Sequence, residues 1–289
     1  MPTFAAPDGR SLCVHDAGDP RGFPVLMHHG TPMSGLPYGA HDALAREQRI
    51  RLLGYDRPGY GGSTRHAGRR VADCAADASA IADALSLDRY GSWGISGGGP
   101  HVLACAALSD ERLVAVASLA AVAPIGADGL DWLEGMGEEN HVEFGKAREG
   151  EGALRPYLET EAAGILAADA EDLVRVMETL LGPADRAVLT GAFAEYLLDT
   201  DRHGLAPGID GWLDDDLAFD VEWGFDVASI DRPVLLLHGE DDRFVPVSHG
   251  RWLAARIPGV DARIDPSDGH LTLIERRVRE VNEWLLAHA

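Results

Sequence analysis

Tyr90-Gly91-Ser92-Trp93-Gly94-Ile95-Ser96-Gly97-Gly98-Gly99-Pro100 is the stretch that decides the fold. Tyr90 to Ile95 is a short apolar run of the kind that forms a strand buried on both faces of a sheet. Pro100 to Leu108 is alanine-rich and reads as a helix. Between them lies a G-x-S-x-G, Gly94 to Gly98. A chain that passes straight from strand to helix holds the turn serine in a strained conformation, and bulky neighbours would collide with both elements. Gly97, Gly98 and Gly99 supply the clearance. Ser96 and the Gly97 N–H then sit at a helix N-terminus, whose partial positive charge favours a developing oxyanion. The other reading of the same letters is a glycine-rich turn in which Ser96 merely caps the helix.

Working outward, Ser11 to His15, Pro24 to His28 and Ile50 to Tyr55 are further strand-like runs. Val71, Cys74, Ala78, Ile81 and Leu85 recur at spacings of three and four, one apolar helix face between two strands. Leu113 to Val122 reads as another buried strand. From Ile125 to about Asp231 no convincing strand occurs, but amphipathic stretches do, such as Glu171 to Leu181 and Asp185 to Leu198. Gly182-Pro183 and Pro207-Gly208 break them. Strand character returns at Pro233 to His238 and Ala262 to Ile264, and a helix from about Leu271 to Leu286 closes the chain. The expected architecture is α/β: a mostly parallel sheet with helices on both faces, in two pieces of one core (1–124 and 232–289), interrupted by a helical insert (125–231).

A serine hydroxyl needs a base within hydrogen-bond reach and a carboxylate to hold that base. In a fold of this layout both come later in the chain, on loops at the C-terminal edge of the sheet. His270, in Asp268-Gly269-His270, is best placed to be the base. His28 and His29 come too early and His101 lies in the helix after the turn. The acid falls in Glu240-Asp241-Asp242, after the Pro233 to His238 strand, with all three carboxylates open at this point. The loop His28-His29-Gly30-Thr31-Pro32 is placed to supply a second oxyanion donor, the Thr31 N–H, beside that of Gly97. One such donor is worth ~3 kcal/mol in the transition state.

Charge is unevenly spread. The chain carries a formal net charge of -22, and 125–231 alone holds 26 acidic and 6 basic residues. Such a surface repels nucleic acid and anionic membrane; it either favours cationic or neutral ligands or simply aids solubility. Lys146 is the one lysine, which removes lysine from the plausible bases. Cys13, Cys74 and Cys105 lack disulfide or zinc spacing and read as reduced core thiols. The start of the chain has no basic segment followed by an apolar one, and no long apolar window follows, so the expectation is a cytoplasmic protein with no membrane partner. A homodimer is left open.

These motifs resemble the α/β-hydrolase superfamily over roughly residues 11–124 and 232–288. Asp56-Arg57-Pro58-Gly59-Tyr60-Gly61-Gly62-Ser63 is similar to its D-x-x-G-x-G-x-S segment, where the Asp and Arg are structural. Gly239, Asp242 and Pro246 match its G-x-x-D-x-x-x-P, which implies Asp242 as the acid. The combination is similar to small capped serine esterases and proline-iminopeptidase-like hydrolases, although His29-Gly30-Thr31-Pro32-Met33 differs from the HGGPG of true iminopeptidases. Dehalogenases and epoxide hydrolases of the superfamily carry Asp where this chain has Ser96. The resemblance implies a catalytic Ser96, Asp242 and His270, no metal or organic cofactor, and a small-molecule substrate cleaved as a carboxylic ester. The alternatives are an amide or N-terminal aminoacyl hydrolase, or a ligand binder or lyase that retains the triad. The insert falls where such proteins carry a cap. Among its aromatics, Trp132, Phe144, Trp212 and Trp223 are expected to line a substrate pocket, against the alternative that they pack inside the insert.

Overall fold

The computed structural model describes residues 2–109 and 111–289. Eight strands form one sheet: β1 (Thr3–Ala5), β2 (Ser11–Gly18), β3 (Phe23–His28), β4 (Ile50–Tyr55), β5 (Tyr90–Ile95), β6 (Leu113–Leu119), β7 (Val234–Gly239) and β8 (Asp261–Asp265). Their spatial order is β1-β2-β4-β3-β5-β6-β7-β8; β2 runs antiparallel to both of its neighbours, β1 and β4, and the other pairings are parallel. β1, a three-residue edge strand, is too short to announce itself in the sequence.

The period of two along each strand divides the core. Leu26, Leu53, Val116 and Leu236 point to one face, and Val25, Met27, Leu52, Trp93 and Leu235 to the other. The first face is covered by α2 (Cys74–Ala84) and α3 (Gly98–Leu108), and the second by α1 (Gly39–Glu47) and α12 (Val278–Leu286). Burial on both faces is why these strands read as unbroken apolar runs. β5 lies near the centre of the sheet, and all six of its residues are buried.

β6 and β7 are neighbours in space. Everything between them therefore leaves and returns at one end of the sheet, the C-terminal edge of β6. This insert consists of α4 (Glu138–Glu149), α5 (Glu151–Ala167), α6 (Leu173–Val176), α7 (Pro183–Val188), α8 (Gly191–Gly204) and α9 (Asp210–Phe219), with no strand. Leu154 and Leu158 of α5 pack with Ile209, Trp212 and Leu213 in a small core of their own, which also takes in Tyr60.

Helix boundaries differ from the sequence reading in three places. The amphipathic stretch from Glu171 to Leu181 holds only the single turn of α6. Asp185 to Leu198 is divided into α7 and α8 at Leu189-Thr190-Gly191, where Gly191 takes a positive φ of 52°. The closing helix is split into α11 (Leu271–Arg276) and α12 at Arg277, whose guanidinium is bonded to Asp268 and Asp265. α10 (Val247–Ala254) completes the set. No helix among the described residues is long and apolar enough to cross a membrane.

Candidate active site

The turn after β5 is tight for a physical reason. Ser96 has φ 54°, a left-handed conformation that costs a non-glycine residue of order 1 kcal/mol or more. It is held there by the Ser96 N–H donating to Leu119 O (2.9 Å) and by Ser96 O accepting from Gly99 N–H (2.8 Å). A Cβ on Gly94 would lie 2.2 Å from Gly98 O, so both ends of the motif must be glycine.

The neighbouring strand ends bring the other residues alongside. β3 runs parallel to β5 with His28 opposite Gly94, which carries the following loop past the serine. A Cβ on Gly97 would stand 2.3 Å from Thr31 Oγ1, so Thr31 and Gly97 are adjacent. Thr31 is fixed from behind: its Oγ1 donates to Asp215 Oδ2 (2.7 Å) and accepts from Arg57 Nη2 (3.1 Å).

Asp242 and His270 follow β7 and β8. His270 Nδ1 is 2.8 Å from Asp242 Oδ2, and Asp242 Oδ1 accepts the N–H groups of Phe244 (2.9 Å) and Val245 (2.8 Å). The rival carboxylates are engaged elsewhere, Glu240 with Arg251 (2.7 Å) and Asp241 with the Ala184 N–H (3.3 Å). The Phe244 ring stacks on His270 at 4.5 Å between centroids. Burial alone would lower the His270 pKa, but the Asp242 charge and hydrogen bond, with Asp185 beyond, raise it above the ordinary imidazole value. An imidazole so placed accepts a proton readily.

A second buried carboxylate supports this loop. Asp185, on α7 of the insert, accepts the N–H groups of His270 (2.9 Å), Leu271 (2.8 Å) and Thr272 (3.1 Å), the unsatisfied donors at the start of α11. The remaining histidines near the site are committed to backbone. His101 Nδ1 meets Gly97 O at 2.6 Å, and burial pushes its pKa down to about 3; His29 contacts Gly30 O (2.7 Å) and accepts the Arg57 N–H (3.0 Å).

Ser96, Gly97, Thr31 and His270 all face one cavity of about 190 Å³ between the sheet edge and the insert. Phe144 and Trp212 line it; Trp132 and Trp223, read from the sequence as lining residues with them, do not, which corrects their placement. The Trp132 Nε1 donates to Ala123 O (2.7 Å) and its ring packs edge-on against Phe144 and His249. Trp223 is 2% exposed and stacked on Phe225 in the main core. Both fill space where the insert meets the sheet.

The sequence reading missed the ion-pair cluster behind Thr31. Asp215 is fully buried; it bonds Arg57 Nη2 (2.6 Å), Arg69 Nη2 (2.6 Å) and Tyr60 OH (2.8 Å). Burial would raise its pKa, but Arg57 and Arg69 hold it well below the usual carboxylate range. Asp214, Asp215 and Asp216 are all buried, although three acids in a row read as a solvated face. The available signal was their setting among Trp212, Leu213 and Leu217.

Three comparisons place the chain among known proteins. Residues 24–277 match the family model described as alpha/beta hydrolase fold. The chain is similar to a non-heme chloroperoxidase of Burkholderia pyrrocinia (26% identical, covering 86% of this chain and 84% of the relative). It is also similar to a pimeloyl-acyl-carrier-protein methyl ester esterase of Nitrosomonas europaea (28% identical, 89% and 92% covered). Among solved structures, an esterase from Exiguobacterium antarcticum superposes with a TM-score of 0.70 at 20% identity, over 99% of this chain and 97% of that one.

Proposed function

The chain belongs to the α/β-hydrolase fold family, and on that premise we propose that it is a serine hydrolase cleaving carboxylic esters of small or medium size. The observation that carries the reading is the Asp242–His270 pair (2.8 Å), whose imidazole faces the same cavity as a serine strained at φ 54°. His270 takes the Ser96 proton as Ser96 Oγ attacks the ester carbonyl. The Gly97 and Thr31 N–H groups hold the oxyanion, and His270 then protonates the departing alcohol. Water, deprotonated by His270, attacks the acyl-enzyme and frees the acid. Asp242 keeps the imidazole in the tautomer that can accept at Nε2 and stabilises its cation. The chemistry assigned to these residues draws on no metal or organic cofactor. Relatives named as esterases support water as the acceptor; those named as haloperoxidases and as an esterase/perhydrolase support hydrogen peroxide as a second acceptor for the same acyl-enzyme.

Covalent labelling with a fluorophosphonate probe tests the proposal. Labelling that disappears in Ser96→Ala and His270→Ala is expected; equal labelling of Ser96→Ala and the wild type overturns it. Release of acid and of peracid from one ester, with and without hydrogen peroxide, separates the two acceptors.

A further inference from the structure

The insert turns acid toward the cavity from four helices: Glu139 and Glu143 of α4, Glu161 of α5, Asp201 of α8 and Asp216 of α9. Neither lysine nor arginine lines it, and His270 is the one lining residue able to carry positive charge. The spacing is deliberate in helical terms. Trp212, Asp216 and Phe219 fall at i, i+4 and i+7, so one face of α9 looks into the cavity while the adjacent Asp215 turns away to Arg57 and Arg69.

Glu143 and Asp216 form the centre of this wall. Their carboxyls are neighbours, and Glu143 Oε1 accepts the Trp212 Nε1–H (2.8 Å). Asp216 is 1% exposed, and its Oδ2 has no hydrogen-bond partner. Arg69, whose charge reaches Asp216 from behind, makes its close contacts with Asp215 (2.6 Å) and Asp214 (3.5 Å) instead. A buried carboxyl oxygen without a donor is costly unless something brings one. Burial pushes the pKa values of Glu143, Asp216 and Glu161 up and that of Asp201 up to about 7, as it does for carboxyls short of a neighbouring cation.

We propose that this wall is a subsite for a protonated amine, with Asp216 Oδ2 and Glu143 accepting its N–H groups, and that the esters cleaved at Ser96 carry such an amine. Phe144, Tyr157 and Phe219 line the same cavity and shield the ammonium from water. This rests on the serine-hydrolase reading above.

The test uses two pairs of isosteric esters: 3-(dimethylamino)propyl butanoate against 4-methylpentyl butanoate, and ethyl 4-(dimethylamino)butanoate against ethyl 5-methylhexanoate. In wild type, kcat/KM favours the cationic member of at least one pair by about tenfold or more, as one charge-assisted hydrogen bond supplies. The ratio falls toward one in Asp216→Asn and in Glu143→Gln. Titration calorimetry of wild type with N,N-dimethylbutylammonium chloride gives a readout independent of both turnover and the variants' folding, and saturable binding that sodium chloride does not reproduce is expected. Equal turnover within both pairs, or no binding of the ammonium by wild type, overturns the subsite. Neutral-ester turnover that is lost in Ser96→Ala would then still stand for the hydrolase reading. Ammonium binding without labelling of Ser96 would leave the subsite and overturn the hydrolase.

Discussion

The edge of the sheet and the insert facing it treat buried acid in opposite ways. At the edge every carboxylate is matched: Asp242 by His270 and two N–H groups, Asp56 by His15 and the N–H groups of Gly35 and Gly62. On the cavity side of the insert Asp216 is not, and the division passes between two consecutive residues of α9. Asp215 belongs by its contacts to the edge, held by two arginines, whereas Asp216 faces the cavity with a bare oxygen. A matched acid fixes geometry. An unmatched one keeps binding capacity in reserve at some cost in stability.

Perturbing the edge is expected to be severe. Removing the nucleophile in Ser96→Ala lowers kcat by about 10⁶-fold, with KM little changed, in steady-state ester assays. Asp242→Asn, which leaves the size of the side chain but offers the wrong partner to the imidazole, lowers kcat by about 10⁴-fold. Either variant retaining more than a tenth of wild-type kcat would break the assignment of the edge as the reacting centre.

The two aspartates of α9 give the sharpest contrast. Asp215→Ala strands Arg57 and Arg69 and is expected to cost about 3–5 kcal/mol in urea denaturation. Asp216→Asn removes an acid that makes no ion-pair contact and keeps the shape, so stability stays within about 1 kcal/mol of wild type or rises. Similar losses in both would erase the distinction between them.

The smallest expected effect is in the pH profile. The His270 base must be neutral, so kcat/KM for a neutral ester rises with pH through its pKa, which Asp242 and Asp185 hold above the ordinary 6.5. Asp185→Asn removes one negative charge, which favours the neutral imidazole at lower pH, and the acid limb moves down. A limb that stays in place would show that Asp185 supports the loop without contributing charge. Because the His270 pKa is raised by folding, its contribution to stability is complete below the unfolded pKa and is lost as pH rises through the folded one.

Legibility in the sequence follows the same division. β4 and β5 coincide with the apolar runs Ile50–Tyr55 and Tyr90–Ile95 because strands buried on both faces leave little polar interruption, here only Arg51 and Ser92. The positions of Ser96, Asp242 and His270 could be read because chain order and strand ends fix where such groups lie. The insert resisted. An acid on a helix ordinarily marks the solvent side, so Glu143 and Asp216 gave the wrong sense of their own faces. Trp132 and Trp223 could not be separated from Phe144 and Trp212, because an aromatic ring is the same signal whether it fills a seam or borders a cavity. Asp185 stands 85 residues before the backbone it supports, and local pattern does not reach that far.

That support limits how the protein could be redesigned or diversified. With three N–H groups at the His270 turn resting on one carboxylate of α7, the insert is a structural member of the proposed reaction centre as well as its roof. Exchanging the whole segment between β6 and β7 to change substrate preference would leave the base without its footing. A transplant that keeps Pro183–Val188 and replaces the helices around it preserves the engine while altering the entrance.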